Sequence, residues 1–288
     1  MGKITNILFP VDFSESCVAM APFVKRAAGL TGAKVSLIHV FDPASYNGFE
    51  LYIRRAQEIN EEHEQIARER LNSFLTTEFP VGEHFRIVRA GDAATEIART
   101  ARDGFGLIIM PTHAGGFFRR MLLGSVTAKI LNDADCPVLT STHAERITPH
   151  PLEHREWLCA IGLGENSERM LRFAHERASE VGAKLTIIHA IQAEDRELPI
   201  RLDLEEELHS GERLKTFEEI AELQKRVGLN APVRVAVGNV KAALLEIARQ
   251  SDADVLMIGR SPELGEEGRL RDLTYVMVRD SPFPVMSI

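Results

Sequence analysis

Residues 4–40 read ITNILFPVDFSESCVAMAPFVKRAAGLTGAKVSLIHV. Two apolar runs bracket a helical pattern. Ile4–Val11 is the first run and reads as a strand. Ser14 then offers a helix N-cap, and Val18, Ala21, Val24, Ala27 and Ala28 recur at helical spacing. Gly32 stops that helix, and Val35–Val40 is the second strand. Strand, helix and strand in succession imply parallel pairing, with the crossover right-handed.

The alternation continues outward. Leu51–Phe79 reads as a long charged amphipathic helix, Phe85–Val88 as a strand, Ala93–Arg102 as a helix and Leu107–Met110 as a strand. About a dozen loop residues follow; then Gly124–Leu131 reads as a helix and Pro137–Thr140 as the last strand. The near-continuous apolar strands suit a sheet buried on both faces. In such sheets, ligands bind beyond the carboxyl ends of the strands, where strand order reverses.

The whole pattern occurs twice. AKVSLIHV at 33–40 returns as AKLTIIHA at 183–190, an offset of 150. GDAATEIARTA from Gly91 resembles GNVKAALLEIARQS from Gly238, and GLIIMPTH from Gly106 matches ADVLMIGR from Ala253. DADCPVLTS from Asp133 matches RDSPFPVMSI from Arg279 at an offset of 147. Blocks recurring in order at this spacing are two copies of one domain, too widely spaced for a solenoid. We expect domains at 1–142 and 157–288, joined by a linker at 143–156 that holds two prolines and no apolar periodicity.

Composition agrees and excludes several classes. The 288 residues fit about two domains. Hydrophobic residues make up 44% and charged residues 26%, ordinary for a globular chain. A net charge of −8 makes a poor general nucleic-acid binder, because neutralising phosphates takes a basic face. No run approaches the ~18 apolar residues of a membrane span, and the N-terminal MGKITNILFPVDF lacks the apolar stretch of a signal peptide. Three cysteines argue against a disulfide scaffold and for a reducing compartment. The expected setting is the cytoplasm.

Two strand ends carry the chemistry. Asp12 follows the first strand, where a carboxylate either accepts from a ribose hydroxyl or adenine amine or caps the next helix. After Met110 comes PTHAGGFFRRMLLGSVT. Gly115 and Gly116 let the backbone approach a ligand, and Gly124-Ser125 opens a helix whose free N–H groups attract anions. Arg119, Arg120 and Lys129 add positive charge nearby. The bland alternative is a Gly-rich turn with Ser125 as N-cap. A long loop in a small domain favours function. The spacing matches neither GxxxxGK[ST] nor GxGxxG.

ILFPVDFSES, VSLIHV, GDAATEIA and IIMPTHAGGFFRRMLLGSVTAKILNDADCPVL resemble the universal stress proteins in their tandem form, over nearly all of both halves. The resemblance implies an α/β fold. It has two doubly wound, parallel, five-stranded sheets, adenine-nucleotide alpha hydrolase-like, packed as a pseudo-symmetric dimer. The last strands, Pro137–Thr140 and Val285–Ile288, are expected to pair, within one chain or between chains of a homodimer. The family's nucleotide-binding subset carries G-x2-G-x9-G-[ST]. Gly124 and Ser125 match it, while Pro111 and Ala114 replace its first two glycines. Pro111 has no N–H to donate, and Ala114 resists positive φ. Gly115 and Gly116 compensate if the bend shifts by one residue.

By resemblance, Pro10, Val11, Asp12 and Val40 line the base and ribose, and Met110 packs on the base. Thr112, His113, Ala114, Gly115, Gly124, Ser125 and Val126 surround the phosphates. The ligand implied is an adenine nucleotide, ATP, with Mg²⁺ arriving on its phosphates. The expected role is a regulatory or protective module of the stress response with a protein partner. It is no robust enzyme and at most a weak ATPase, because no P-loop lysine is present. The rival is a scaffold of the same fold without a physiological nucleotide. In the second copy Gly162 replaces Asp12, and Arg271-Asp272 replaces Gly124-Ser125. Asp272 sets a carboxylate where phosphate belongs, and PELGEEG at 262–268 is acidic, so no equivalent site is expected there.

Other signals read as structural. His39 and His189 end matching strands without ligand spacing around them. His143, His150 and His154 cluster with Glu153 and Glu156, yet form no zinc pattern, and no metal ligands are assigned. Cys17, Cys136 and Cys159 lie in apolar runs and read as buried thiols with no catalytic base. The charged helix 51–79 and its acidic counterpart, Leu202–Val227, read as solvated faces or partner surfaces.

Overall fold

A computed structural model describes residues 3–43, 50–112, 123–141, 156–192, 201–202, 210–260 and 269–288. These form two compact units, the first within Gly2–Leu139 and the second within His150–Ile288.

The first unit runs β1 (Asn6–Pro10), α1 (Glu15–Thr31), β2 (Lys34–Phe41), α2 (Glu50–Ser73), β3 (Phe85–Ala90), α3 (Ala93–Ala101), β4 (Leu107–Pro111), α4 (Ser125–Asp133) and the start of β5 (Val138–Ser141), whose Thr140 and Ser141 group with the second unit. The strand order is β3-β2-β1-β4-β5. β1 is parallel to both neighbours, with Ile7 opposite Val35 of β2 and opposite Leu107 of β4. Strand order therefore reverses at β1. All five residues of β4 are buried, and successive side chains leave opposite faces, so both faces are covered. Phe9, Phe23 and Phe79 are among the largest side chains wholly inside. Each contributes about 1.5–3 kcal/mol by leaving water.

α1 begins at Ser14, whose hydroxyl accepts from the Cys17 N–H at 3.4 Å, and ends at Gly32 with φ 68°. The buried stripe is Cys17, Met20, Ala21, Phe23, Val24 and Ala27. Val18, part of the expected stripe, is 49% exposed. The true face is centred a fraction of a turn away, on Cys17 and Met20. α2 ends at Ser73 rather than at Phe79. The Arg86 guanidinium donates to the carbonyls of Leu71, Phe74 and Phe79 and gathers the chain into a turn there.

The second unit runs β6 (Glu156–Ala160), α5 (Ser167–Val181), β7 (Lys184–Gln192), β8 (Arg201–Leu202), α6 (Ser210–Val227), β9 (Val233–Gly238), α7 (Val240–Arg249), β10 (Val255–Ile258), α8 (Arg269–Asp280) and β11 (Val285–Ser287). Its order is β11-β10-β6-β7-β9-β8, parallel from β11 through β9. β8 is an addition to the expected pattern. It pairs antiparallel with β9, Arg201 opposite Val237, and covers part of an open edge. Leu202 therefore belongs to a strand, and the described part of the acidic helix starts at Ser210.

Candidate functional site

The chain bends sharply after β1. Phe13 adopts φ 65°, a left-handed conformation uncommon outside glycine, and Leu163 after β6 adopts φ 56°. Aromatic packing holds Phe13 in place: its ring centroid lies 4.3 Å from His39 and 5.2 Å from Phe74, and Arg70 sits 4.3 Å above it. The bend carries Asp12 to the carboxyl end of the sheet. Ser14, not Asp12, caps α1. Asp12 instead accepts the Ser14 N–H on Oδ1 at 3.0 Å, closing a tight Asx-type turn. Its Oδ2 has no donor among the described residues.

A second anchor joins the ends of β1 and β2. The His39 Nδ1–H donates to the Val11 carbonyl at 2.8 Å. The proton must be on nitrogen, because a carbonyl can only accept. His189 makes the same bond to Ile161 at 2.8 Å. The matched histidines thus tie first strand to second strand in each unit.

α4 supplies the opposite wall. Its N-cap is Gly124, not Ser125, which is the first helical residue. The Gly124 N–H donates to the Thr112 carbonyl at 3.1 Å, and Thr127 Oγ1 donates to the same carbonyl at 3.3 Å. A Cβ on Gly124 would lie 3.1 Å from that carbonyl oxygen, which explains glycine here. The first intrahelical bond runs from Ala128 to Gly124, and no side chain caps the helix. The amides of Ser125, Val126 and Thr127 therefore have no partner among the described residues. Three open donors at the positive end of a helix favour an anion.

Between these walls lies a cavity of about 390 Å³, within the range of small-ligand sites. Nine residues expected from the sequence line it: Pro10, Val11, Asp12, Val40, Met110, Thr112, Gly124, Ser125 and Val126. His113, Ala114 and Gly115, with Arg119 and Arg120, lie outside the described residues. The linker histidines His143, His150 and His154 do so too. Lys129 is engaged elsewhere: its ammonium donates to Asp92 at 2.7 Å, bracing the N-terminus of α3. The sequence reading missed Ala93 and Ile97 of α3, which also form the wall, although the GDAATEI block contains both. Cys17 and His39 line it as well.

The second unit differs at both walls. Gly162 stands where Asp12 does, and α5 starts only at Ser167, two residues later than α1 in the matched alignment. Arg271, aligned with the N-cap Gly124, lies inside α8. No group of three or more metal-ligating side chains occurs among the described residues. No helix among them is long and apolar enough to cross a membrane.

The sequence model of the universal stress protein family matches residues 3–141 and, again, 155–288. The chain belongs to the universal stress protein family. Among its relatives, a universal stress protein of Methanocaldococcus jannaschii is 29% identical over 150 residues, covering 46% of this chain and 92% of its own. One from Mycobacterium tuberculosis is 23% identical over 270 residues, covering 92% of this chain and 89% of its own. A solved universal stress protein from Archaeoglobus fulgidus superposes with a TM-score of 0.63 at 20% identity, covering 99% of this chain and 96% of that one. A universal stress protein from Pseudomonas aeruginosa reaches the same TM-score at 19% identity. At that identity the likeness speaks for the fold alone.

Proposed function

We propose that the N-terminal unit binds an adenine nucleotide, ATP with Mg²⁺ on its phosphates, and that the protein acts as a regulatory or protective stress-response module. One observation carries this reading. A single cavity at the point of strand reversal joins an apolar floor, a carboxylate with a spare oxygen and three open amides. Pro10, Val11, Val40 and Met110 give the base an apolar bed. Asp12 Oδ2 accepts from a ribose hydroxyl or the adenine amine. The first turn of α4, with the Ser125 hydroxyl, faces the phosphates, and Thr112, His113, Ala114 and Gly115 complete their surroundings. Bound nucleotide then shifts a partner or conformational equilibrium to the extent that it favours one state. The second unit binds none in this manner.

Three features favour the rival reading of a scaffold without nucleotide. Pro111 has no N–H, the Gly124 N–H is engaged by Thr112 and Lys129 by Asp92, which thins the phosphate donors.

Mass spectrometry of small molecules released from freshly purified, denatured protein separates the two. Adenine nucleotide near one per chain is expected. Ser125→Asp should abolish it without unfolding, since an exposed acid at the first helical position suits the helix dipole while repelling phosphate. No release and no calorimetric binding of added Mg-ATP would leave the scaffold. Two nucleotides per chain would overturn the reading of the second unit. Steady ADP production above a Ser125→Ala control would make the protein an ATPase.

A further inference from the structure

One buried thiol stands in the cavity wall. Cys17 lies in the first turn of α1 and is 1% exposed. Its Sγ–H has two acceptors within reach, the Pro10 carbonyl at 3.9 Å and Asp12 Oδ1 at 3.2 Å, and the shorter contact is to the oxygen that also accepts the Ser14 N–H at 3.0 Å. Two donors on one oxygen restrict the rotation of the carboxyl group. The other oxygen is left for a ligand.

We propose that Cys17 is a positioning residue: its thiol holds Asp12 so that Oδ2 faces the polar hydrogens of the bound nucleoside, and it thereby sets selectivity among nucleosides. The proposal rests on the nucleotide reading above. Burial, and then the Asp12 charge, push the thiol up to about 12, so it keeps its proton near neutral pH and remains a donor. A thiol donates weakly, so its effect is on direction more than on strength. In the second unit Gly162 and Ser167 occupy the two matching positions. The carboxylate–thiol pair is thus absent from the second unit.

The test uses the full chain and calorimetric affinities for Mg-ATP, 2′-deoxy-ATP and inosine triphosphate. The first analogue removes a ribose hydroxyl, and the second replaces the adenine amine with a carbonyl. The unaltered protein should prefer ATP over at least one of them. Cys17→Ala should reduce that preference by about three-fold or more, the scale of one hydrogen bond. Cys17→Ser should keep it, because the hydroxyl still donates. A packing role alone would weaken all three ligands together and leave their ratios untouched. If Ala at this site unfolds the chain, Cys17→Val fills the space without a donor and gives the same comparison. Unchanged ratios in the donor-less variant, or no discrimination by the unaltered protein, would overturn the proposal while leaving the nucleotide site standing. Failure of the unaltered protein to bind ATP would remove both.

Discussion

Asp92 serves two helices at once. Its Oδ1 caps α3 by accepting the Thr95 N–H at 2.9 Å, and it accepts from Lys129 of α4 at 2.7 Å. The Lys129 ammonium, followed by the Thr95 hydroxyl and amide, holds the carboxyl well below the usual carboxylate range. A depressed native value stabilises the fold above the unfolded value, about 3.9, and this contribution fades as pH falls through the native one. Asp92→Asn keeps the cap but removes the charge. Denaturant titrations from about pH 6 to pH 2 should therefore show a shallower loss of stability in the variant. The pair is half exposed, so about 1 M salt should narrow the difference. A variant with the slope of the unaltered protein would show that the ion pair carries no weight. At this scale the sequence was partly legible. Asp12 and Ser14 were both acceptable caps, and only the bend at Phe13 assigns the cap to one and the turn to the other. The engagement of Lys129 by a residue 37 positions away left no local signal.

The helices stop where their local chemistry says, except where a distant side chain intervenes. α1 and α5 both end in left-handed glycines, Gly32 at φ 68° and Gly182 at φ 69°. Nothing lies within 4 Å of a Cβ on Gly32, so space is not the constraint there. Gly32→Ala should cost about 1 kcal/mol through the backbone conformation alone, and Gly182→Ala should match it. Equal shifts in denaturation midpoint would check this, whereas no shift at either would show that the caps relax freely. These stops were readable because glycine acts on its own backbone. The end of α2 was not, since Arg86 of β3 reaches back to it. β8 was missed for the same reason: two residues become a strand only because β9 offers an edge.

Across the whole chain, one skeleton appears twice with unequal equipment. The 150-residue offset made the repeat plain, and the features that recur are those that shape the backbone. The bends at Phe13 and Leu163 recur, as do the histidine ties and the caps by Asp92 and Asn239. What differs is the site: Asp12 and its thiol, and the glycine that starts α4. Cys17, Cys136 and Cys159 are all buried. Cys136 precedes β5, and burial pushes Cys159 up to about 12. A thiol reagent at neutral pH should therefore titrate none of the three in the native protein and all three in denaturant. Rapid labelling of one native thiol would place a breathing motion at that position.

The bond from the Gly124 N–H to the Thr112 carbonyl pinches the chain at the neck of the connection between β4 and α4. The clasp joins two residues that stand twelve apart in the sequence, as a drawstring gathers two edges of cloth. Doubling the length of chain between them would cost only about 0.6 kcal/mol of closure entropy. Extra chain inserted between Thr112 and Gly124 is thus expected to leave the first turn of α4 standing at the cavity, and an unchanged denaturation midpoint in such a variant would check it.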